Sequence, residues 1–136
     1  MYWRNAYKGK LASHLFTIPF IWLPLPFFIV TDIFLEMYHQ ICFPIYGLEK
    51  VKRDEYIQVI DRNKLKYLRL REKIGCMYCG YVNGLLLYQK EIASRTESYW
   101  CGVMHENKPG YKTDQYQVDK NFPEFGDINK FNKLYK

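Results

Sequence analysis

Apolar and polar positions are segregated along this chain instead of interleaved. Residues 15–31, Leu-Phe-Thr-Ile-Pro-Phe-Ile-Trp-Leu-Pro-Leu-Pro-Phe-Phe-Ile-Val-Thr, form a run of seventeen without a charge, just long enough to be considered for a membrane-crossing helix. Past Asp32 the chain stays apolar and aromatic through Ile33, Phe34, Leu35, Met37, Tyr38, Ile41, Cys42, Phe43, Pro44, Ile45 and Tyr46. Pro19, Pro24 and Pro26 each remove a backbone donor and disfavour a straight helix. Two geometries fit residues 15–48: one kinked span, or a shallow hairpin that enters the bilayer and returns to the same side.

The flanks separate them. Residues 1–14 hold Arg4, Lys8 and Lys10 and no acid, and Lys50, Lys52 and Arg53 follow the apolar stretch. Positive charge marks the cytoplasmic side, so the hairpin, which keeps both flanks inside, is the favoured geometry. Its buried turn needs its backbone satisfied by protein, which points to a partner or an oligomer. A cleaved signal peptide does not fit a run with three prolines and no small-residue cleavage site.

The pattern then changes. Tyr56-Ile57-Gln58-Val59-Ile60 reads as a strand closed by Asp61-Arg62-Asn63. Leu65–Leu70 reads as its return strand or a short helix. Asn83 can cap a helix over Leu85–Tyr99, with Leu85, Tyr88, Ile92 and Tyr99 on one face and Lys90, Ser94, Glu97 and Ser98 opposite. Glu91 and Arg95 are spaced to pair, and with Glu97 they read as a solvated face. After His105 no apolar period persists. Residues 106–136 read as an extended tail whose Phe122, Phe125, Phe131 and Tyr135 could anchor a partner.

Composition sharpens this division. Of 136 residues 49% are hydrophobic and 18% aromatic, with a net charge of +6. With the membrane-like stretch and the tail set aside, the remaining core is small enough for a bound metal to matter to stability. Residues 50–73 hold nine Lys or Arg against four acids. Basic charge beside a membrane segment is drawn to anionic lipid. Lys50, Lys52 and Arg53 are the candidate lipid-facing cations, and nucleic-acid binding is the less economical reading.

Three of the four cysteines lie in one frame: Cys76-Met77-Tyr78-Cys79-Gly80-Tyr81, then Trp100-Cys101-Gly102-Val103-Met104-His105. The spacing is C-x2-C, 21 residues, C-x3-H. Thiolates take soft or borderline metals and a neutral imidazole completes a tetrahedral set. Cys76, Cys79, Cys101 and His105 are therefore the candidate ligands of a structural zinc, with iron as the alternative. A disulfide framework would need an oxidising compartment. Asp32, Glu36 and His39 fall at i, i+4 and i+7, and Glu36-Met37-Tyr38-His39 matches the E-x-x-H step of carboxylate-bridged di-iron bundles. This chain has no second such motif, so the three read as polar residues at headgroup level or facing a partner.

Cys76-x-x-Cys79-Gly80-Tyr81 resembles the first knuckle of rubredoxin, although Cys101-Gly102-Val103-Met104-His105 departs from the second. Over residues 15–105, Cys42-Phe43-Pro44-x-Tyr46-Gly47, Arg53-Asp54-Glu55-Tyr56 and the run from Cys76 through Arg95-Thr96-Glu97-x-Tyr99-Trp100-Cys101 to His105 resemble a group of small bacterial membrane-associated proteins to which no activity is attached. The likeness implies a bacterial source and a shared design.

The expected architecture is a small α+β chain in four parts. These are a basic N-terminus (1–14), a Pro-kinked membrane hairpin or span (15–48), a cytoplasmic knuckle–helix–knuckle mini-domain held by metal (49–105) and an extended tail (106–136). The expected role is a non-catalytic accessory or scaffold subunit of a larger membrane protein complex, on the cytoplasmic face of a bacterial inner membrane. The alternative is a rubredoxin-like electron carrier. A zinc hydrolase is disfavoured because all four coordination positions would be filled.

Overall fold

A computed structural model describes residues 11–136; the expected basic cluster of Arg4, Lys8 and Lys10 lies outside the described residues. The architecture is helical: α1 (Leu11–Trp22), α2 (Leu25–Tyr46), α3 (Leu70–Trp100), α4 (Gln115–Asp119) and α5 (Ile128–Tyr135). Two short 3-10 turns, Arg53–Glu55 and Asp61–Lys64, interrupt the connector between α2 and α3.

Among the described residues there is no strand, so the α+β expectation is corrected. Tyr56–Ile60 is irregular, and the backbone of Gln58 lies on α3 with no strand beside it. The knuckle–helix–knuckle expectation is corrected as well. Cys76-Met77-Tyr78-Cys79-Gly80 is part of one helix of 31 residues, not a rubredoxin-like turn. Glu72 starts that helix by accepting the Arg69 N–H at 3.0 Å.

The prolines mark a break without reversing the chain. Leu23 N–H still donates to the Pro19 carbonyl at 2.9 Å, and Phe28 N–H to Pro24 at 3.1 Å. Pro26 sits in the first turn of α2, where a missing N–H costs little. The outcome is a helix of two segments, not a hairpin. α2 ends at Gly47, whose φ of 68° is the left-handed conformation that glycine adopts without a Cβ penalty. The Leu48 N–H then reaches back to Phe43 at 2.9 Å and closes the helix end.

α2 and α3 run parallel. Successive contacts climb together, the first to α1 and the rest to α2: Tyr78 hydroxyl to the Ile21 carbonyl at 2.7 Å, Tyr81 to Asp32, Tyr88 to Glu36, Tyr38 to Thr96 at 2.9 Å, then the stacked Tyr46 and Tyr99 rings at 4.6 Å. Parallel neighbours need a return path, and the connector supplies it. It descends from Val51 beside His39, past Arg53 at Asp32, to Asn63 against Met77. Two glycines let its backbone touch α3. A Cβ on Gly80 would sit 2.5 Å from the Gln58 carbonyl oxygen, and one on Gly84 2.5 Å from that of Tyr56. Phe43, Val51, Leu85, Tyr88 and Ile92 form the core where the three lanes meet.

The tail is not extended. Asp114 caps α4 through the Tyr116 N–H at 3.1 Å and also takes Lys90 and Ser94, each at 2.7 Å. Gln117 donates to Glu97 at 2.9 Å, and Met104 N–H to the Pro123 carbonyl at 2.8 Å. The chain thus folds back over the C-terminal half of α3 and buries Phe122 and Pro123.

Candidate functional site

The densest polar chemistry lies where α2, the connector and α3 meet. Asp32, Glu36 and His39 face inward from α2, placed together by helical spacing. Arg53 grips Asp32 with two parallel bonds of 2.6 Å, and Tyr81 adds a third at 2.8 Å. This bidentate geometry is the strong form of a carboxylate–guanidinium pair. It holds the Asp32 carboxyl below its ordinary range, led by the Arg53 bond, and raises Arg53 in turn. Burial and then the bond to Asp32 push the Tyr81 phenol up to about 12.

The neighbouring chain of hydrogen bonds fixes the histidine tautomer. Val51 N–H donates to His39 Nε2 at 3.0 Å, so that nitrogen carries no proton. Nδ1 therefore carries the proton of the neutral ring and donates to the Tyr88 hydroxyl at 3.0 Å. Tyr88 in turn donates to Glu36 Oε2 at 2.7 Å. Gln40 caps the other Glu36 oxygen at 2.6 Å, and Lys50 bonds Gln40 at 2.6 Å. Burial lowers the His39 pKa and, with the Glu36 bond, raises that of Tyr88. Arg53 also lies over the Tyr88 ring, 5.5 Å from its centroid. Each strong group here already has a partner, and together they clasp three segments of the chain.

The other side of α2 carries the opposite chemistry. Phe27, Val30, Phe34, Met37, Ile41 and Ile45 recur every three or four residues and are all at least half exposed. That row lies across the helix from Phe28, Asp32, Leu35, His39 and Phe43. Fifteen large hydrophobic side chains between Leu15 and Ile45 are exposed. A shallow apolar groove lined by Val30, Phe34, Leu35, Tyr38, Gln89 and Ala93 continues this surface onto α3. The stretch Ala12–Tyr46 is long and apolar enough to cross a membrane by length and composition.

The four expected metal ligands are not brought together. Cys76 and Cys79 lie one turn apart on α3, while Cys101 follows its last residue and His105 lies beyond. The 22 residues of helix from Cys79 to Cys101 span about 33 Å, whereas zinc–sulfur bonds are about 2.3 Å. Among the described residues no three His, Cys, Asp or Glu side chains form a group that could hold a metal ion. The four cysteines are free thiols. His105 instead lies 3.7 Å from Glu97.

The expected lipid-facing cations are occupied to different degrees. Arg53 is committed to Asp32, Lys50 to Gln40, and Lys52 lies 3.5 Å from Glu55. Of the expected partner anchors, Phe122 is buried in the chain itself. Phe125, Phe131 and Tyr135 are exposed, and the Tyr135 hydroxyl donates to the Gly102 carbonyl at 2.9 Å. The Glu91–Arg95 pair forms at 2.8 Å.

Arg53, Tyr81 and Tyr88 were not assigned to the clasp from sequence. Tyr81 and Tyr88 are seven residues apart, and the Gly80-x3-Gly84 step beside them is the small-residue spacing that permits close backbone approach. No family model, no curated protein and no solved structure matches the chain.

Proposed function

We propose that this protein is a membrane-surface accessory subunit, with α1 and α2 lying in the plane of the bilayer and the polar body resting on one side. The carrying observation is the division of α2: its outward row is wholly apolar, while Asp32, Glu36 and His39 all bond inward. Lipid is the covering that matches a long surface without charge.

An in-plane orientation fits better than a crossing one. α3 accompanies α2 from Tyr81 to Trp100 and carries Lys90, Glu91, Arg95 and Glu97. Standing α2 upright would draw those charges and the basic connector to hydrocarbon depth, at several kcal/mol for an unpaired charge (about 2.5–3.5 each at the centre). α1 alone, twelve residues, reaches about 18 Å against a hydrocarbon core of about 30 Å.

The saturated clasp supports a binding role over a catalytic one. Placement on the cytoplasmic face of a bacterial inner membrane, within a larger protein complex, rests on the flanking basic residues and the resemblance set out above. Fusing a reporter active only in the periplasm to each terminus tests the topology. The expected result is no activity from either fusion; activity at one end alone would mean a crossing chain.

A further inference from the structure

We infer that α5 is a second membrane contact and that it selects anionic lipid; this rests on the membrane-surface reading. Ile128-Asn129-Lys130-Phe131-Asn132-Lys133-Leu134-Tyr135 places Ile128, Phe131, Leu134 and Tyr135 on one face at helical angles. Lys130, Lys133 and Lys136 follow at three-residue steps on the other. Ile128 is 68% exposed, Leu134 53% and the preceding Phe125 65%. An apolar face opposed by an acid-free row of lysines is the pattern of a helix that lies in a lipid headgroup layer.

The position of α5 agrees with that use. Tyr135 bonds Gly102, two residues past Trp100, and Trp100 packs edge-on against Tyr46 at the end of α2. Trp100 is 66% exposed and Ile45 74%. The apolar row of α2 therefore continues through exposed Ile45 and Trp100 to the helix that carries the cations. Lys130 donates to Asn121 and to the Phe122 carbonyl, which leaves Lys133 and Lys136 as the cations available to phosphate. The occupant is an anionic phospholipid surface: a neutral bilayer would use the apolar face and leave the lysines without a counter-charge, and an apolar protein partner would do the same.

The test is flotation of the full chain with vesicles of phosphatidylcholine, alone or mixed with phosphatidylglycerol. Wild type should bind both and bind the mixed vesicles more tightly. Exchanging Lys133 and Lys136 together for Gln should remove about fivefold of the affinity for mixed vesicles per lysine and leave neutral vesicles unaffected. High salt should erase the same increment. Ile128→Ser with Leu134→Ser should weaken binding to both kinds. A preference for the phosphatidylglycerol-containing vesicles that survives the double Lys→Gln exchange would overturn the assignment to α5 while leaving the membrane reading intact. Failure of wild type to bind either vesicle would overturn both.

Discussion

α2 and α3 lie side by side, share a core and treat charge in opposite ways. α2 turns its acids and its histidine inward and shows apolar side chains outside. α3 turns Leu85, Tyr88 and Ile92 inward and leaves Arg71 and Lys90 exposed. Each arrangement is costly alone, since inward charges need partners and outward apolar groups need cover. The connector resolves the first problem by delivering Arg53 and the Val51 N–H. Among the described residues nothing covers the second. A helix that spends its charges on its neighbours and turns its hydrophobes outward is what the proposed membrane-surface role requires.

The largest effect should come from charging the outward row of α2. Phe34→Asp with Met37→Asp should abolish vesicle flotation, since each removed side chain forfeits about 1.5–3 kcal/mol of apolar burial. The helical circular dichroism should be unchanged, because the two side chains are 62% and 52% exposed in the protein alone. The matching change on α3, Arg71→Asp at an exposed position, should leave flotation intact.

Next in size is the contact that lets the connector lie on α3. Gly84→Ala sets a Cβ 2.5 Å from the Tyr56 oxygen and 2.8 Å from the Ile57 Cα, both backbone atoms. Relieving that overlap should cost about 1–3 kcal/mol in urea-induced unfolding. Gly75→Ala on the same helix meets nothing within 4 Å and should stabilise by about 0.5–1 kcal/mol. Equal effects at the two glycines would mean that the connector does not rest on Gly84.

Arg53→Ala follows. It strands Asp32, whose side chain is only 13% exposed. The loss should be about 1–2 kcal/mol, less than for a fully buried pair because solvent screens a half-exposed guanidinium. Asp32→Asn combined with Arg53→Ala should recover part of it.

The smallest effect is a pH dependence. His39 is neutral when folded because Nε2 accepts the Val51 N–H, and burial holds its pKa below 6.5. Unfolded, the ring takes a proton near 6.5. Below that value the unfolded chain binds a proton that the folded chain does not. Its contribution is thus whole above pH 6.5 and is lost as the pH falls toward the lower folded value. His39→Gln should flatten this slope in denaturation curves measured across that window.

These regions differed in what the sequence disclosed. The apolar stretch was plain because residues 15–31 lack charge, and so was the pairing of Glu91 with Arg95. Asp32, Glu36 and His39 were correctly placed on one helix face, but their partners were hidden, since Arg53, Tyr81 and Tyr88 meet them only across tertiary contacts. The cysteines misled for a physical reason. C-x-x-C followed by glycine suggests a tight turn, yet Cys76–Gly80 continues a helix, and Gly80 serves close packing instead of bending. The tail was misjudged because its order comes from Asp114 and Gln117 bonding α3 and not from any apolar period of its own.

The claim that α2 lies flat with its outward row in lipid is tested most directly by depth. In a chain whose four native cysteines are replaced by serine, single cysteines at Phe27, Phe34, Ile41 and Ile45 would carry nitroxide labels, with Leu87 and Lys90 on α3 for contrast. Power-saturation measurements in vesicles report each label's immersion through its exposure to oxygen and to a water-soluble nickel chelate. The expected result is one common shallow depth along the whole α2 row, with the α3 labels in water. Depths that rise to a maximum between Phe27 and Ile45 and fall again would show a crossing helix, and labels in water throughout would show that the row is covered by protein.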